Sequence, residues 1–448
     1  MQSHYRIIIL GAGTAGMTAW KEAARHTDDY LVVDPGPLGT TCARVGCMPS
    51  KALLQVAKDA HAQQQWAEQG LFEAPSRPRI PAVMEHVRQL RDRFAGGSAR
   101  PIEQLGERYI KGRARFLAPG RLEIDGQEVT ADAVIVATGT RPVVPQAWEE
   151  LDTCILTSDS IFEQQDLPQR IAVVGLGAIG TELGQALAML GLEVHAFGRS
   201  QTLGGLDDER VNSAAREAIG ATLPIHTGHD VALESSSDGV TVNFGDRSWT
   251  VDAVVAAMGR RPNVEGLNLE ALGVPLRNNG LPEIDRDRLE ADGTGAWFVG
   301  DLNGMRALMH EAADEGRIAV REALAPQPEA HPRRLPLAIV FSEPEIAQTG
   351  TRFSELPEDA LIGEQDFSKQ GRAVLSGRAG GLLRVYADRQ GQLIGAQMAI
   401  PGAEHIAHEL AWLIQKGTHV KEALELPFYH PVLEEGLRSA LQGIRRQL

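Results

Sequence analysis

Cysteine is scarce: three occur in 448 residues, too few for the disulfide framework that staples small secreted domains. Long apolar runs are missing as well, and none reaches the roughly 20 residues needed to span a bilayer. Met1–Arg6 leads straight into the apolar Ile7–Leu10 and a glycine turn. That leaves no room for a signal peptide with its own apolar stretch and cleavage site, so a cytoplasmic location is expected, with no membrane partner. Excess positive charge is absent too. The 59 Asp and Glu against 44 Lys and Arg leave a formal charge of −15, which argues against nucleic acid as a partner because phosphate recognition relies on clustered Lys and Arg.

What remains is an ordinary globular composition, 43% hydrophobic and 23% charged, in a chain long enough for two to four domains and a large cofactor. The strongest internal signal is a duplication. Ile7–Leu10 runs into Gly11-Ala12-Gly13-Thr14-Ala15-Gly16 and a helical stretch to Arg25; Ile171–Val174 runs into Gly175-Leu176-Gly177-Ala178-Ile179-Gly180 and a helix to Leu190. Each copy is followed by a second strand, Leu31–Val33 and Glu193–Phe197, and each unit is closed by an apolar strand, Ala133–Ala137 and Ala253–Met258. The pattern predicts an α/β chain with two Rossmann-like dinucleotide-binding domains. Trp297–Val299, a helix from Ala307 to Leu324, a Pro-rich linker over Ala325–Pro336 and a C-terminal mixture of strands and helices complete the pattern. The C-terminal mixture reads as a separate α+β domain.

Strand, glycine turn and helix in that order let the first glycine turn sharply and the second admit a pyrophosphate to backbone N–H groups at the helix start. Asp34 closes the second strand of the first unit, where an acid meets a ribose hydroxyl. The matching region of the second unit is Phe197-Gly198-Arg199-Ser200, with no acid. Arg199 there is either a solvated surface residue or a partner for a 2′-phosphate, leaving NAD against NADP open.

Cys42 and Cys47 sit five positions apart. A regular helix would separate them by about 7.5 Å on different faces, beyond comfortable disulfide reach, so a bridge requires an irregular turn. Gly46 supplies the backbone freedom, and Pro49 suits the first turn of a following helix. A helix start also favours a thiolate. A metal site would need His or further Cys ligands at suitable spacing, and none is visible. Cys154 reads as a small packed side chain.

The run Thr41-Cys42-Ala43-Arg44-Val45-Gly46-Cys47-Met48-Pro49-Ser50-Lys51 resembles the redox-active signature of the class I pyridine nucleotide-disulfide oxidoreductases, nearest to their dihydrolipoyl-oxidising branch. The likeness extends along the whole chain through Ala137-Thr138-Gly139, Gly259-Arg260-Arg261-Pro262-Asn263, Val299-Gly300-Asp301, Phe341–Ile346 and His430-Pro431. It implies a glutathione reductase-like fold: an FAD-binding domain over 1–147 and 265–332, an NAD(P)-binding domain over 148–264, and a dimerisation domain over 333–448. FAD would be held by Gly11, Gly13, Gly16, Asp34, Thr41, Lys51, Ala114, Thr138, Gly139, Thr140, Asp301 and the segment Ala307, Leu308, Met309 and His310.

By the same resemblance Gly175, Gly177, Gly180 and Gly259 would take NAD(P)(H), and Lys51 would pair with Glu182 beside the flavin. Cys42 and Cys47 would form the exchangeable disulfide, with His430 of one subunit as acid–base for the other and Glu435 orienting it. The implied reaction is oxidation of a dihydrolipoyl group on a protein, or exchange with a small dithiol or disulfide; reduction of another disulfide by NADPH and a non-turnover flavin sensor are the other readings. Thr40 replaces a usual glycine, and Val432 and Glu434 replace the usual Thr and Ser after His-Pro.

Overall fold

The computed structural model describes residues 2–74, 77–327 and 331–448, and the chain divides into two compact units. The first comprises Met1–Pro49, His86–Val143 and Arg260–Arg333. Its sheet follows the order Glu290–Ala291, Ala296–Phe298, Gln127–Val136, His4–Leu10, Tyr30–Val33, Tyr109–Ile110. The strand His4–Leu10 pairs in parallel with both neighbours.

Parallel strands are covered on both faces and therefore read as unbroken apolar runs. Ile8, Leu10, Leu31, Val33, Val134 and Val136 enter one apolar cluster, while Ile7, Ile9, Val32 and Ile135 enter another on the alternate face. The helices Thr14–Ala23 and Met309–Leu324 cover the latter face. They pack so tightly that a Cβ on Gly316 would lie 2.3 Å from Ala15 O.

The second unit comprises Ser50–Glu85, Val144–Gly259 and Arg334–Leu448. A five-stranded parallel sheet follows the order Ile225–Thr227, Glu193–Gly198, Arg170–Val174, Ala253–Ala256, Ile155–Thr157. A three-stranded antiparallel sheet, Val231–Ser236, Gly239–Phe244 and Arg247–Val251, packs on it through Phe197, Val240, Val242 and Phe244. Cys154 packs at the edge of this cluster. The C-terminal part is a five-stranded antiparallel sheet, Leu337–Val340, Glu345–Gly350, Leu393–Ile400, Leu382–Ala387 and Leu361–Asp366 in that order. The helices Ala403–Gln415 and Glu434–Arg445 bury Ile406, Leu410, Leu437 and Leu441 in its core.

Two long helices, Cys47–Glu68 and Ile80–Glu103, are divided between the units. Among the described residues no helix is long and apolar enough to cross a membrane. Residues 328–330 of the expected linker lie outside the described residues. Arg333 further along it ion-pairs with Glu311 and Glu315 of the helix Met309–Leu324.

Candidate active site

Glycines fill two different roles in each nucleotide turn. Gly11 has φ +104, and a Cβ on it would stand 2.3 Å from Ala137 O; one on Gly16 would stand 1.9 Å from Gly11 O. Those two positions are closed by the protein itself, whereas Gly13 has nothing within 4 Å of its missing Cβ. The second turn repeats this. A Cβ on Gly175 or Gly180 would strike Ala257 O at 2.2 Å or Gly175 O at 1.8 Å, and Gly177 is open. Helices start at Thr14 and Ala178, so each open glycine borders a helix N-terminus where pyrophosphate finds unpaired N–H donors. Gly139 (φ +67) and Gly259 (φ +96) are also open.

Asp34 accepts hydrogen bonds from Ala12 N and Gly36 N, each at 2.6 Å. Its carboxylate braces the glycine turn, a duty beyond the ribose contact that its position suggested. Thr138 and Asn263 bond reciprocally: Thr138 Oγ1 donates to Asn263 O at 2.8 Å and Asn263 Nδ2 donates to Thr138 O at 2.9 Å. Arg260 donates to Thr140 Oγ1 and Thr140 O, both at 2.9 Å.

Asp301 lies in the short turn Gly300–Asn303. Burial pushes its carboxyl above the ordinary range, against the opposing charge of Arg260. The turn is fastened from below: the buried Glu315 accepts from Gly300 N at 2.6 Å and from Asn303 Nδ2 at 2.7 Å. A desolvated acid held on a fixed turn suits ligand hydroxyls. Ala114 opens the strand Ala114–Ala118, Leu308 caps the helix Met309–Leu324, and Ala307 and Met309 are exposed with His310 half-exposed beside them. An open cradle, a desolvated acid and an exposed apolar helix start fit FAD in the first unit.

The cysteine segment is a broken helix. Thr41–Arg44 forms one turn, Val45 leaves helical geometry at φ −136, ψ 3, and the helix Cys47–Glu68 begins at the second cysteine. Gly46 allows the break, since a Cβ on it would lie 3.0 Å from Thr41 O and 3.2 Å from Cys42 Cα. The chain thus folds back against Cys42 immediately before Cys47. Thr40, which stands where a glycine is usual, closes the start of this turn. Its Oγ1 accepts from Ala43 N at 3.1 Å and caps the residues that carry Cys42. Cys42 is half-buried and Cys47 exposed; Thr41 is exposed as well.

In the second unit Lys51 Nζ stands 2.6 Å from Glu182 Oε2 and 4.6 Å from the centroid of the Phe341 ring. The other Glu182 oxygen accepts from Phe341 N at 2.9 Å. Gln185, one turn further along the same helix, is fully buried and clamps Glu343 from both ends of its amide, at 2.6 and 2.7 Å. His430 Nδ1 lies 3.0 Å from Glu435 Oε1, and Glu435 Oε2 accepts from Val432 N at 3.2 Å. Because residue 432 contributes only its backbone to this pair, Val there does no harm. Among the described residues there is no cluster of three or more His, Cys, Asp or Glu able to hold a metal ion.

A family model described as pyridine nucleotide-disulphide oxidoreductase matches residues 5–316. The chain belongs to this family. Its C-terminal part, residues 337–441, matches the dimerisation domain of the same oxidoreductases. Among curated relatives, Dihydrolipoyl dehydrogenase 3 of Haloarcula marismortui is 28% identical over 98% of this chain and 96% of its own length. Dihydrolipoyl dehydrogenase of Bacillus subtilis is 29% identical over 96% and 94%. The crystal structure of LpdA from Mycobacterium tuberculosis aligns with a TM-score of 0.85 at 25% identity, covering 99% of this chain and all of that one. The HOCl-induced flavoprotein disulfide reductase RclA of Escherichia coli, as its Cu(II) complex, shares the fold with a TM-score of 0.84 at 20% identity over 98% and 99%.

As a member of this family the chain is a flavoprotein disulfide oxidoreductase whose cofactors are FAD and NAD(P)H. Some supports of the oxidoreductase site escaped sequence reasoning. Asn263 and Arg260 were visible only as parts of the run Gly259–Asn263, and Gln185 and Phe341 carried no chemical signal. Arg199 stands exposed just beyond the strand Glu193–Gly198.

Proposed function

We propose that this flavoprotein is a dihydrolipoyl dehydrogenase that oxidises protein-bound dihydrolipoyl groups through a Cys42–Cys47 disulfide, with NAD(P)+ as final acceptor. Residues 1–147 and 265–332 serve FAD, 148–264 serve the nicotinamide coenzyme, and 333–448 join two subunits into a cytoplasmic homodimer. The observation that carries the reading is the His430–Glu435 bond at 3.0 Å on the dimerisation domain. An imidazole oriented by a carboxylate and left 81% exposed suits proton exchange with thiols and would be idle in a sensor that never turns over.

One dihydrolipoyl thiolate attacks Cys42, with His430 taking the proton, and Cys47 leaves as a thiolate. The second lipoyl sulfur then displaces Cys42, closing the lipoyl disulfide and leaving both cysteines reduced. FAD held in the first unit would supply the two-electron chemistry that links these thiols to NAD(P)+. Glu182 fixes the Lys51 ammonium, a cation suited to an anionic reduced ring. Exposed Trp412 (66%) and Tyr429 (80%) on the dimerisation domain support a paired subunit.

The second reading is an NADPH-driven reductase of another disulfide, favoured by Gly198-Arg199 standing where an acid would greet NAD. Steady-state rates with dihydrolipoamide and with glutathione, each in oxidised and reduced form and against both coenzymes, separate the two. Turnover confined to dihydrolipoamide supports the first; turnover with glutathione disulfide alone overturns it. Anaerobic addition of one equivalent of NADH or NADPH to the enzyme should raise a long-wavelength thiolate-to-flavin band.

A further inference from the structure

The strands Leu337–Val340 and Glu345–Gly350 pair in antiparallel register with Val340 opposite Ile346, and residues 341–344 form the turn between them. That turn is locked on itself, since the fully buried Ser342 donates from its Oγ to Pro344 O at 2.7 Å. It is also locked to the helix Ala178–Met189 at two points three residues apart. Phe341 N donates to Glu182 Oε1 at 2.9 Å. Gln185 Nε2 donates to Glu343 O at 2.6 Å, and Gln185 Oε1 accepts from Glu343 N at 2.7 Å. Positions i and i+3 share one helix face, so Glu182 and Gln185 grip alternate residues of the turn together.

A third anchor ties the turn to the helix that starts at Cys47. The Glu343 carboxylate accepts from Arg378 Nε and Nη2 at 2.6 and 2.8 Å and faces Lys58 Nζ at 3.3 Å. Lys58 lies two helical turns beyond Lys51, on the same face of that helix. Bound to both helices, the turn makes Phe341 a fixed backstop.

Lys51 needs one. Its ammonium rides on a flexible four-carbon stem, its side chain is 32% exposed, and water screens an ion pair of that exposure. Glu182 alone would leave the charge free to swing. Phe341 holds both members of the pair: its N–H pins the Glu182 oxygen that Lys51 does not use, and its ring centroid lies 4.6 Å from Lys51 Nζ. A cation is drawn to an aromatic face, most strongly where water is excluded.

We propose that Phe341 and Gln185 are positioning residues for the flavin: Phe341 fixes the Lys51–Glu182 pair, Gln185 fixes the turn that carries Phe341, and together they set the potential of bound FAD by placing the lysine charge. The inference rests on Lys51 serving the flavin and not on which disulfide the enzyme turns over. Redox titration of the FAD-loaded Cys42→Ser protein, which has no disulfide to compete for electrons, reads the flavin midpoint potential without substrate. Phe341→Leu, which keeps the N–H and loses the ring, should disfavour flavin reduction about tenfold, a potential about 30 mV lower for a two-electron couple. Phe341→Tyr, which keeps a ring, should match the protein with Phe341 intact.

Gln185→Leu should act like Phe341→Leu; should loss of its amide unfold the protein, Phe341→Leu alone decides. Lys51→Met gives the reference, a fall at least as large. If Lys51→Met lowers the potential and Phe341→Leu does not, the proposal is overturned, and a lower melting temperature for Phe341→Leu then marks a merely structural role. A potential untouched by Lys51→Met overturns the proposal together with the placing of Lys51 beside the flavin. A fall of the expected size in an enzyme inert toward every disulfide supports the two positioning residues while sinking the dihydrolipoyl reading.

Discussion

His430 Nδ1 and Glu435 Oε1 stand 3.0 Å apart, five residues from each other across the start of the C-terminal helix. The bond from His430, joined by that from Val432 N, holds the Glu435 carboxyl below its usual range. A depressed acid keeps its charge as pH falls, until pH passes through its own lowered value. Glu435 therefore stays ionised across the range in which an imidazole titrates. Glu435→Gln should slow dithiol oxidation about ten- to a hundredfold, with nicotinamide-driven flavin reduction much less affected. Stopped-flow measurement of the two half-reactions checks this, and equal losses in both would remove His430 from the acid–base role.

Cys42 and Cys47 flank the break made at Val45 and Gly46. Cys42→Ser and Cys47→Ser should each abolish disulfide turnover while the flavin spectrum of the purified protein stays that of bound FAD. Wild-type turnover in either variant would end the proposed mechanism.

Gly13 and Gly16 differ only in what surrounds them. A methyl on Gly16 would overlap Gly11 O at 1.9 Å, while one on Gly13 meets no protein atom within 4 Å. Gly16→Ala should destabilise the FAD-free protein by about 1–3 kcal/mol or more. Gly13→Ala should melt like wild type without FAD, yet bind FAD more than about tenfold more weakly, because its methyl occupies space meant for phosphate. Thermal melts of both apoproteins with fluorescence titration of FAD separate the cases.

Asp207 couples the second glycine-turn fold to the C-terminal part of the chain within the second unit, receiving bonds from Ser354 N at 3.1 Å, Ser354 Oγ at 2.6 Å and Gln397 Nε2. Burial works against its charge, but the Ser354 and Gln397 bonds outweigh it and lower the carboxyl to about 2. With the folded value depressed, the stabilisation is complete above the unfolded value of 3.8 and lost as pH falls toward 2. Asp207→Ala should cost about 1–2 kcal/mol at pH 7 after solvent screening, and the gap to wild type should shrink as pH is lowered from 4 to 2. Denaturant melts across that range give the answer, and a gap independent of pH would contradict the assignment.

Sequence and structure agree where a short segment sets its own geometry. The expected strand Ile7–Leu10 is the end of His4–Leu10, and the expected helix Ala307–Leu324 is Met309–Leu324. Asp34, assigned to a ribose by position, also braces its own turn, each oxygen accepting from one backbone N–H group. Thr40, counted as a departure, is a cap. The antiparallel sheet Val231–Val251 went unread although Gly239–Phe244 alternates strictly, because its flanking strands Val231–Ser236 and Arg247–Val251 are largely exposed.

The amino-acid order alone determined the break between the cysteines and the close approach of Gly16 to Gly11 and of Gly180 to Gly175, because these follow from steric contacts among residues a few positions apart, whereas Gly11 and Gly175 also close against the distant Ala137 O and Ala257 O. The pairing of Lys51 with Glu182 across 131 residues was implied by the resemblance and is formed in the fold, whereas only the tertiary structure decided that Arg216 reaches the strand end followed by Arg199. Such meetings depend on how sheets and helices pack, and nothing in the spacing of a linear chain encodes which distant charges will share a surface.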